Sequence, residues 1–220
     1  MEAALRGLLV EGASRMGIGL PDDAVARFEI LLSLLQTWGR RINLTTRLEA
    51  KEIVLHHFLD SLAGVPLLSD ASAAKVIDLG AGAGFPSFPL KFALPLLRVT
   101  LAESVRKKVA FCREVIRATA CADIEAICAR GEDLAKHPGH RGAYDWAVSR
   151  ALGSAAGVLK LAAPLLASGG RVMVYKGAPG RDELAELSDA CKKIGADWRL
   201  ESVEVPHLGA SRSLILVRLA

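Results

Sequence analysis

Apolar positions in the first third of the chain follow the period of amphipathic helices. The clearest run steps by three or four residues and defines one helical face, made of Phe28, Leu31, Leu35, Trp38 and Ile42. A helix is expected before it, within 1–17, and a third after it, within about 49–68. These three N-terminal helices are not part of an α/β core, so they would form a cap or one wall of a substrate groove.

From residue 75 onward, short apolar runs alternate with amphipathic segments, which is typical of a parallel sheet covered by helices. The predicted strands are 75–80, 98–103, 123–128, 144–149, 171–175, 198–205 and 212–219. The predicted helices between them are 86–93, 105–120, 131–136, 154–167 and 181–195. Because the last two strands are consecutive, we expect an antiparallel hairpin that closes a mostly parallel α/β sheet.

The chain has 220 residues, 51% of them hydrophobic, which suits one α/β domain with an appendage. We expect residues 1–72 to be a helical segment packed on a core of residues 73–220, in one compact unit. No apolar run approaches the roughly 20 residues of a membrane helix, and no secretory signal is expected. The four cysteines lack C-x-x-C spacing, which favours buried thiols in a reducing cytoplasm over metal ligands.

The strongest chemical signal is the segment 75–91, which reads KVIDLGAGAGFPSFPLK. An apolar strand containing Asp78 runs into three alternating glycines, and Pro86 marks a helix start; the glycines are Gly80, Gly82 and Gly84. The third glycine comes too early for the dinucleotide pattern G-x-G-x-x-G, and a G-x-x-x-x-G-K-[ST] phosphate loop is absent. Acidic-x-G-x-G-x-G is typical of enzymes that bind S-adenosylmethionine. A tight turn without a ligand is the alternative.

Two further strand ends would complete a nucleoside site. Glu103 ends the second strand about 20 residues after Gly84, the offset at which an acid meets ribose hydroxyls in such folds. An ordinary solvated glutamate is the alternative. Gly131 and Glu132 follow the third strand, where an adenine would lie. They also fit a helix N-terminus, whose dipole favours acidic residues.

Several basic residues are candidates for contacts with a ligand or with nucleic acid. Arg150 ends the fourth strand and would clamp a cofactor carboxylate or contact a phosphate or base, unless it only caps a helix. Lys176 and Arg212 are expected near the same rim. The net charge of +4 permits a nucleic-acid partner without requiring one.

The helix after Glu103 carries arginines at helical spacing, Arg106, Arg113 and Arg117. They would follow phosphates along a nucleic acid, or would only form a solvated cationic face. His56 and His57 lie on the third N-terminal helix, where neighbours point in different directions and make a poor metal pair. We expect one of them to pack in the core rather than to act in catalysis.

Six short motifs follow one another in the order of a known family. They are Trp38 with NLT at 43–45, HFLDS at 57–61, DLGAGAGFP at 78–86, ES at 103–104 with KK at 107–108, SRA at 149–151, and KG at 176–177. Over residues 38–219 the chain thus resembles the bacterial 16S ribosomal RNA guanine-N7 methyltransferases, the glucose-inhibited division protein B family. The resemblance implies a Rossmann-like, class I methyltransferase core behind a helical segment.

The same resemblance implies methyl transfer from S-adenosylmethionine to N7 of a guanine, with S-adenosylhomocysteine as product and no metal. Its substrate would be 16S rRNA within the 30S subunit or an assembly intermediate. Apart from the resemblance, we expect a cytoplasmic monomer without a membrane partner. The cofactor contacts implied by matching position are Gly80, Phe85, Gly131, Glu132 and Arg150. The glycine loop and the strand ends add Asp78, Gly82, Gly84 and Glu103 as expected contacts. Arg150 is also the predicted catalytic residue. The expected RNA contacts are Asn43, Lys107, Lys176 and Arg212.

Guanine N7 has a lone pair in the neutral base, so its methylation needs no general base, and Arg150 would position a reactant. Two departures from the family pattern stand out. Ser87 replaces the glycine after the loop proline, which is tolerated unless a positive φ is required there. Ser211 and Ser213 replace a glutamate and a histidine, so only Arg212 is retained on that hairpin.

Two other functions fit the residues. A methyltransferase of a small molecule or a protein would share the loop at 80–84 but ignore RNA and show little salt dependence. A non-catalytic ribosome-assembly factor that holds S-adenosylmethionine would bind RNA and transfer no methyl group. A nicotinamide enzyme is disfavoured because the third glycine is misplaced.

Overall fold

The computed structural model describes residues 1–69 and 73–220, which form a mixed sheet of seven strands with helices on both faces. The strands are β1 (Lys75–Leu79), β2 (Arg98–Glu103), β3 (Ile124–Cys128), β4 (Tyr144–Arg150), β5 (Leu166–Lys176), β6 (Asp197–Val205) and β7 (Ala210–Arg218). They lie in the order β3-β2-β1-β4-β5-β7-β6. Strands β1 to β5 are parallel, and β7 pairs antiparallel with β5 and β6. The predicted mostly parallel sheet with a closing antiparallel hairpin is confirmed.

The helices of the described residues flank this sheet. They are α1 (Ala3–Arg15), α2 (Asp22–Gly39), α3 (Ala50–Ile53), α4 (Asp60–Leu62), α5 (Val65–Leu68), α6 (Ser87–Ala93), α7 (Arg106–Thr119), α8 (Gly131–Leu134), α9 (Ala155–Ala162) and α10 (Arg181–Ile194). A π-helical turn, Val54–Leu59, joins α3 to α4. Strands β1 and β2 are buried after their first residue because helices cover both of their faces.

The third helical stretch expected within about 49–68 is present, and it consists of several short helical pieces. The segment is divided by the π-helical turn and by a turn at Gly64. A Cβ on Gly64 would overlap the hydroxyl of Tyr175, which donates to the Ser61 carbonyl at 2.8 Å. A glycine at this position therefore leaves room for the Tyr175 side chain of β5. The helix predicted over 154–167 also ends early, since Pro164 follows it and β5 begins at Leu166.

The N-terminal helices share a buried core with one face of the sheet. Phe28 of α2 lies 4.9 Å from Phe58 and 5.1 Å from Phe92 of α6, measured between ring centres. The buried cluster runs from Leu9 on α1 to Leu216 on β7. A second cluster, with α9 and α10, covers the opposite face. Residues 70–72, at the predicted boundary between the helical segment and the core, lie outside the described residues. That the two parts form one compact unit stays a prediction.

Replacement of Phe28 tests whether the N-terminal helices and the sheet unfold together. We expect Phe28→Ala to lower the free energy of unfolding by about 3–5 kcal/mol, because the cavity would lie in the shared core. Hydrogen exchange in denaturant should then show α2 and β1 losing protection in one transition. Leu96→Ala is the control, since Leu96 is 64% exposed and should change stability by less than about 0.5 kcal/mol. Separate transitions for α2 and β1 would contradict a single unit.

Candidate functional site

A cavity of about 580 Å³ opens at the carboxyl ends of the parallel strands. It lies where the strand order reverses, between β1 and β4, the position at which open α/β sheets bind ligands. Four loops contribute to its wall, one after each of β1, β2, β3 and β4. The residues that represent them are Gly80, Glu103, Gly131 and Arg150. Four residues predicted separately from the sequence are thus brought to one cavity.

The glycine loop after β1 forms the floor of the cavity. Gly80 and Gly82 have φ of 70° and 60°, a conformation that side chains disfavour. A Cβ on Gly80 would also lie 2.9 Å from a methyl group of Leu152. The amides of Gly80 and Ala81 donate to the Ala102 carbonyl at 2.9 and 3.2 Å, so the loop is fastened to the end of β2.

Glu103 holds the glycine loop and still faces the cavity. The residue is 7% exposed. One carboxylate oxygen accepts from the Gly82 amide at 2.9 Å, and the other accepts from the Val105 amide at 2.8 Å. Each carboxylate oxygen has a second lone pair, so acceptor capacity remains for hydroxyl groups of a ligand. The sequence predicted only the outward contact and did not predict the bond to the loop.

Asp78 and Gly84, two of the predicted cofactor contacts, lie behind the loop and do not line the cavity. Asp78 is 0% exposed, and its carboxylate oxygens have no hydrogen bond of normal geometry among the described residues. Burial raises its pKa to about 7, although the nearby Ser87 opposes the rise. A Cβ on Gly84, whose φ is 81°, would overlap the Phe88 ring. Any role of these two residues in cofactor binding stays a prediction.

Ser87, the residue that departs from the family pattern, begins α6 without a positive φ. The serine is therefore free of the backbone strain that a left-handed conformation would impose. Its side chain is buried. The replacement is accommodated by the backbone as it stands.

Phe85, Gly131 and Glu132 complete the part of the wall predicted from the sequence. Gly131 opens α8, and a Cβ there would lie 3.3 Å from a Leu79 methyl group. Glu132 is exposed at the same rim. The positions of Gly131 and Glu132 are compatible with a bound adenine. Both residues also lie in the first turn of α8, where the helix dipole favours an acidic side chain.

Arg150 is held in the wall by groups of the N-terminal segment. Its Nη1 donates to Asp60 Oδ2 at 2.8 Å and to the His56 carbonyl at 3.0 Å. Its Nη2 donates to His57 Nδ1 at 2.7 Å. The guanidinium carbon lies 5.1 Å from the centre of the Phe85 ring. Three acceptors and one aromatic ring therefore determine where this side chain lies.

His57 is a wall residue that the sequence analysis missed. Because arginine only donates, His57 Nδ1 accepts, and Nε2 carries the proton and donates to Thr45 Oγ1 at 2.8 Å. The ring stacks on Phe85 at 4.8 Å with an interplanar angle of 16°. Burial, and then the charge of Arg150, lowers its pKa to about 3, so the imidazole is neutral. Only its place in the HFLDS motif could have indicated it.

The four predicted RNA contacts divide into two pairs. Asn43, in the loop after α2, and Lys107, on the first turn of α7, are exposed. Lys176 is engaged within the protein, since its Nζ lies 2.6 Å from the Gly153 carbonyl and 2.6 Å from Glu183. Arg212 is also engaged, through Asp60. The structure leaves the first pair open to a partner and gives the second pair structural contacts.

The predicted cationic face on α7 is largely engaged by acceptors within the protein. Arg113 donates through Nε and Nη2 to the Ala126 carbonyl at 3.1 and 3.0 Å. Arg117 donates to both carboxylate oxygens of Glu114, at 2.9 and 2.7 Å. Arg106 is exposed. Arg117 is therefore paired with an opposite charge, whereas Arg113 is held by a neutral acceptor and keeps its positive charge.

The part of the chain that the structure describes contains neither a membrane-spanning helix nor a cluster of metal ligands. None of its helices combines the length and hydropathy needed to cross a membrane. In residues 1–69 and 73–220, no three His, Cys, Asp or Glu side chains are grouped in a way that would hold a metal ion.

Comparisons with known proteins agree with this geometry. The family model described as "GidB: rRNA small subunit methyltransferase G" matches residues 24–215. A ribosomal RNA small subunit methyltransferase G of Geotalea uraniireducens is 38% identical over 99% of this chain and 98% of its own length. The Desulfitobacterium hafniense protein of the same name is 36% identical over 92% and 84%.

Solved structures show the same fold at low sequence identity. A putative S-adenosyl-L-methionine-dependent methyltransferase of Methanococcus maripaludis superimposes with a TM-score of 0.58 at 14% identity. The alignment covers 84% of this chain and 90% of that chain. The likeness identifies the Rossmann-like methyltransferase architecture that the sequence predicted.

Gly82→Val tests the glycine loop as the floor of a binding site. We expect affinity for S-adenosylmethionine, measured by titration calorimetry, to fall at least about tenfold, because a β-branched residue disfavours the required φ of 60°. Gly169→Val is the matched control. Gly169 has φ of 71° and equally open surroundings, but it lies on β5 outside the cavity, so its variant should bind normally. Equal affinities of the two variants would contradict the loop assignment.

The neutral state of His57 predicts a pH dependence of stability. Its pKa is lowered in the folded protein from 6.5 to about 3, so its contribution is present above pH 6.5 and is lost as the pH falls toward 3. Relative to His57→Gln, the wild type should lose up to about 1.4 kcal/mol per pH unit between pH 6 and 4. Comparing the two proteins cancels the opposite contribution of Asp78. A constant difference in denaturant unfolding at pH 4, 5 and 6 would contradict a neutral His57.

Proposed function

Because the chain belongs to the GidB family of small-subunit rRNA methyltransferases, we propose that it methylates N7 of a guanine in 16S ribosomal RNA. Its membership makes it an S-adenosylmethionine-dependent methyltransferase of ribosomal RNA, and the resemblance deduced from the motifs is confirmed. The choice of the N7 atom and of one guanine is the proposal. The observation that carries it is the family match over residues 24–215, which spans the whole cavity wall.

The cavity residues fit S-adenosylmethionine. A volume of about 580 Å³ lies within the usual range of small-molecule sites. The backbone of Gly80 and Gly82 lines it without side chains, so a ligand can approach the loop closely. Glu103 has acceptor capacity for the two ribose hydroxyls, and Gly131 with Glu132 would border the adenine. The amino acid end would then lie toward the glycine loop and Arg150.

The chemistry asks little of the protein beyond orientation. Bound S-adenosylmethionine supplies a methyl group on a positively charged sulfur. Guanine N7 carries its own lone pair, so no side chain has to remove a proton first. His57 agrees with this, since both of its ring nitrogens are engaged, Nδ1 by Arg150 and Nε2 by Thr45, and neither is free to take a proton. The residues of the site contribute mainly by proximity and orientation.

Arg150 is the residue that would orient a reactant. A guanidinium has five N–H donors, and three are used by Asp60, His56 and His57. Two N–H donors of Arg150 therefore have no acceptor among the described residues. They suit a carboxylate of the cofactor or an acceptor on the target guanine.

The RNA would cross the rim beside the N-terminal loop and α7. Asn43 and Lys107 are exposed there, while Leu44, Thr45 and Lys108 line the cavity next to them. The N7 edge of guanine lies in the deep and narrow major groove of helical RNA, so the target would be in a loop or irregular region. The 30S subunit or an assembly intermediate as substrate, a monomeric enzyme and a cytoplasmic location are parts of the same proposal.

Transfer of labelled methyl groups tests the function directly. The acceptors are small ribosomal subunits that lack their N7-methylguanine, naked 16S RNA, and a protein control. We expect label on one guanine of the subunit RNA, and the naked RNA shows whether assembled structure is required. Absence of label on every RNA, with the cofactor still bound, would overturn the proposal in favour of a small-molecule or protein substrate or of a non-catalytic assembly factor.

Arg150→Ala tests the residue that should orient a reactant. Methyl transfer should fall at least about 100-fold, while circular dichroism shows a folded protein. Arg218→Ala is the matched control, because Arg218 is an exposed arginine at the far end of β7, away from the cavity. Near wild-type turnover of Arg150→Ala would contradict its assignment.

A further inference from the structure

We propose that Asp60 is a positioning residue, whose buried carboxylate holds Arg150 in the cavity wall and joins it to Arg212. The inference deepens the proposed function and rests on it for its activity readout. Asp60 begins α4, directly after the π-helical turn, and is 1% exposed. It does not line the cavity itself. Asp60 would therefore act on the reaction through the arginines that it holds.

The two carboxylate oxygens of Asp60 are divided between the two arginines. Oδ2 accepts from Arg150 Nη1 at 2.8 Å. Oδ1 accepts from Arg212 Nε at 2.5 Å and also contacts Arg212 Nη2. Arg150 ends β4 and Arg212 lies on β7, and β5 separates these strands in the sheet. Sheet pairing alone would leave the two guanidinium groups apart, and Asp60 joins them.

The charges of Asp60, Arg150 and Arg212 explain both why this buried group is stable and why it could bind an anion. A buried carboxylate without partners is costly, and removing one member of such a group leaves an uncompensated charge. One carboxylate shared by two guanidinium groups leaves a surplus of one positive charge. This surplus suits a rim that would receive an RNA phosphate or a cofactor carboxylate.

The surrounding segment supports the same geometry. The π-helical turn provides two further acceptors for Arg150, the His56 carbonyl and His57 Nδ1. π-helical turns occur frequently at functional sites. Tyr175 donates to the carbonyl of Ser61, the residue after Asp60, at 2.8 Å and fixes that end of the segment to β5. The N-terminal segment is therefore more than a cap, because it determines where the guanidinium of Arg150 lies.

A double-mutant cycle distinguishes positioning from a general effect on stability. The proteins are wild type, Asp60→Asn, Arg150→Lys and the double variant, assayed for kcat at saturating RNA and cofactor where all four are folded. We expect Asp60→Asn to lower kcat by about 10–100-fold, and the double variant to lose at most about threefold more than the worse single variant. Losses that multiply would overturn the proposal, because Asp60 would then act independently of Arg150.

Glu114→Gln is the matched control. Glu114 also pairs with an arginine, Arg117, but the pair is exposed and outside the cavity wall. This variant should keep kcat within about twofold of wild type. An equal loss in Glu114→Gln would mean that removing any arginine-paired carboxylate lowers activity, and the proposal would fail.

Two further measurements keep the test decisive. If Asp60→Asn does not fold, Asp60→Glu replaces it in the cycle, since it keeps the buried charge but moves the carboxylate by one methylene, and the same non-additivity with Arg150→Lys is expected. Affinity for S-adenosylmethionine, measured by calorimetry on the same variants, needs no RNA. A wild type that binds the cofactor but methylates no RNA would overturn the proposed function alone. Cofactor affinities that change independently in Asp60 and Arg150 variants would overturn the positioning role.

Discussion

A charged carboxylate in the interior of a protein has to be paired, and the structure around the cavity depends on how Asp60 meets that requirement. Its oxygens accept from Arg150 at the end of β4 and from Arg212 on β7. The same Arg150 reaches His57, which in turn bonds Thr45 in the loop after α2. One chain of contacts thus joins the N-terminal helices, that loop and two separate strands at the edge where the cavity opens.

Three buried acidic residues near the cavity show how neighbours decide the use of one chemical group. Asp60 is paired with guanidinium groups and serves to place them. Glu103 accepts backbone amides, shapes the glycine loop and keeps capacity toward the cavity. Asp78 has no such partner within residues 1–69 and 73–220, and burial raises its pKa to about 7. All three residues carry the same carboxyl group, and their different neighbours give each of them a different role.

Much of the fold and part of the site could be predicted because they depend on local rules. Apolar runs of strand length, helical spacing and the consecutive last strands were enough for the order and type of most elements. The alternating glycines predicted the loop because a positive φ is a local requirement, met at Gly80 and Gly82. The same reasoning did not predict the position of Gly84. This residue lies behind the cavity wall, where the missing side chain leaves room for the Phe88 ring.

The sequence by itself determined the α/β class, the glycine loop, the acid at the end of β2 and, through its ordered motifs, the family. Only the tertiary structure decided that the third helical segment is broken by a π-helical turn, that His57 stands neutral in the wall, and that Lys176 and Arg212 are engaged internally. The physical reason is distance along the chain. Arg150 lies 90 residues from Asp60 and 93 from His57, and Arg212 lies 152 residues from Asp60. The spacing of residues along the sequence cannot predict such pairs, because they form only when the helical segment packs against the folded sheet.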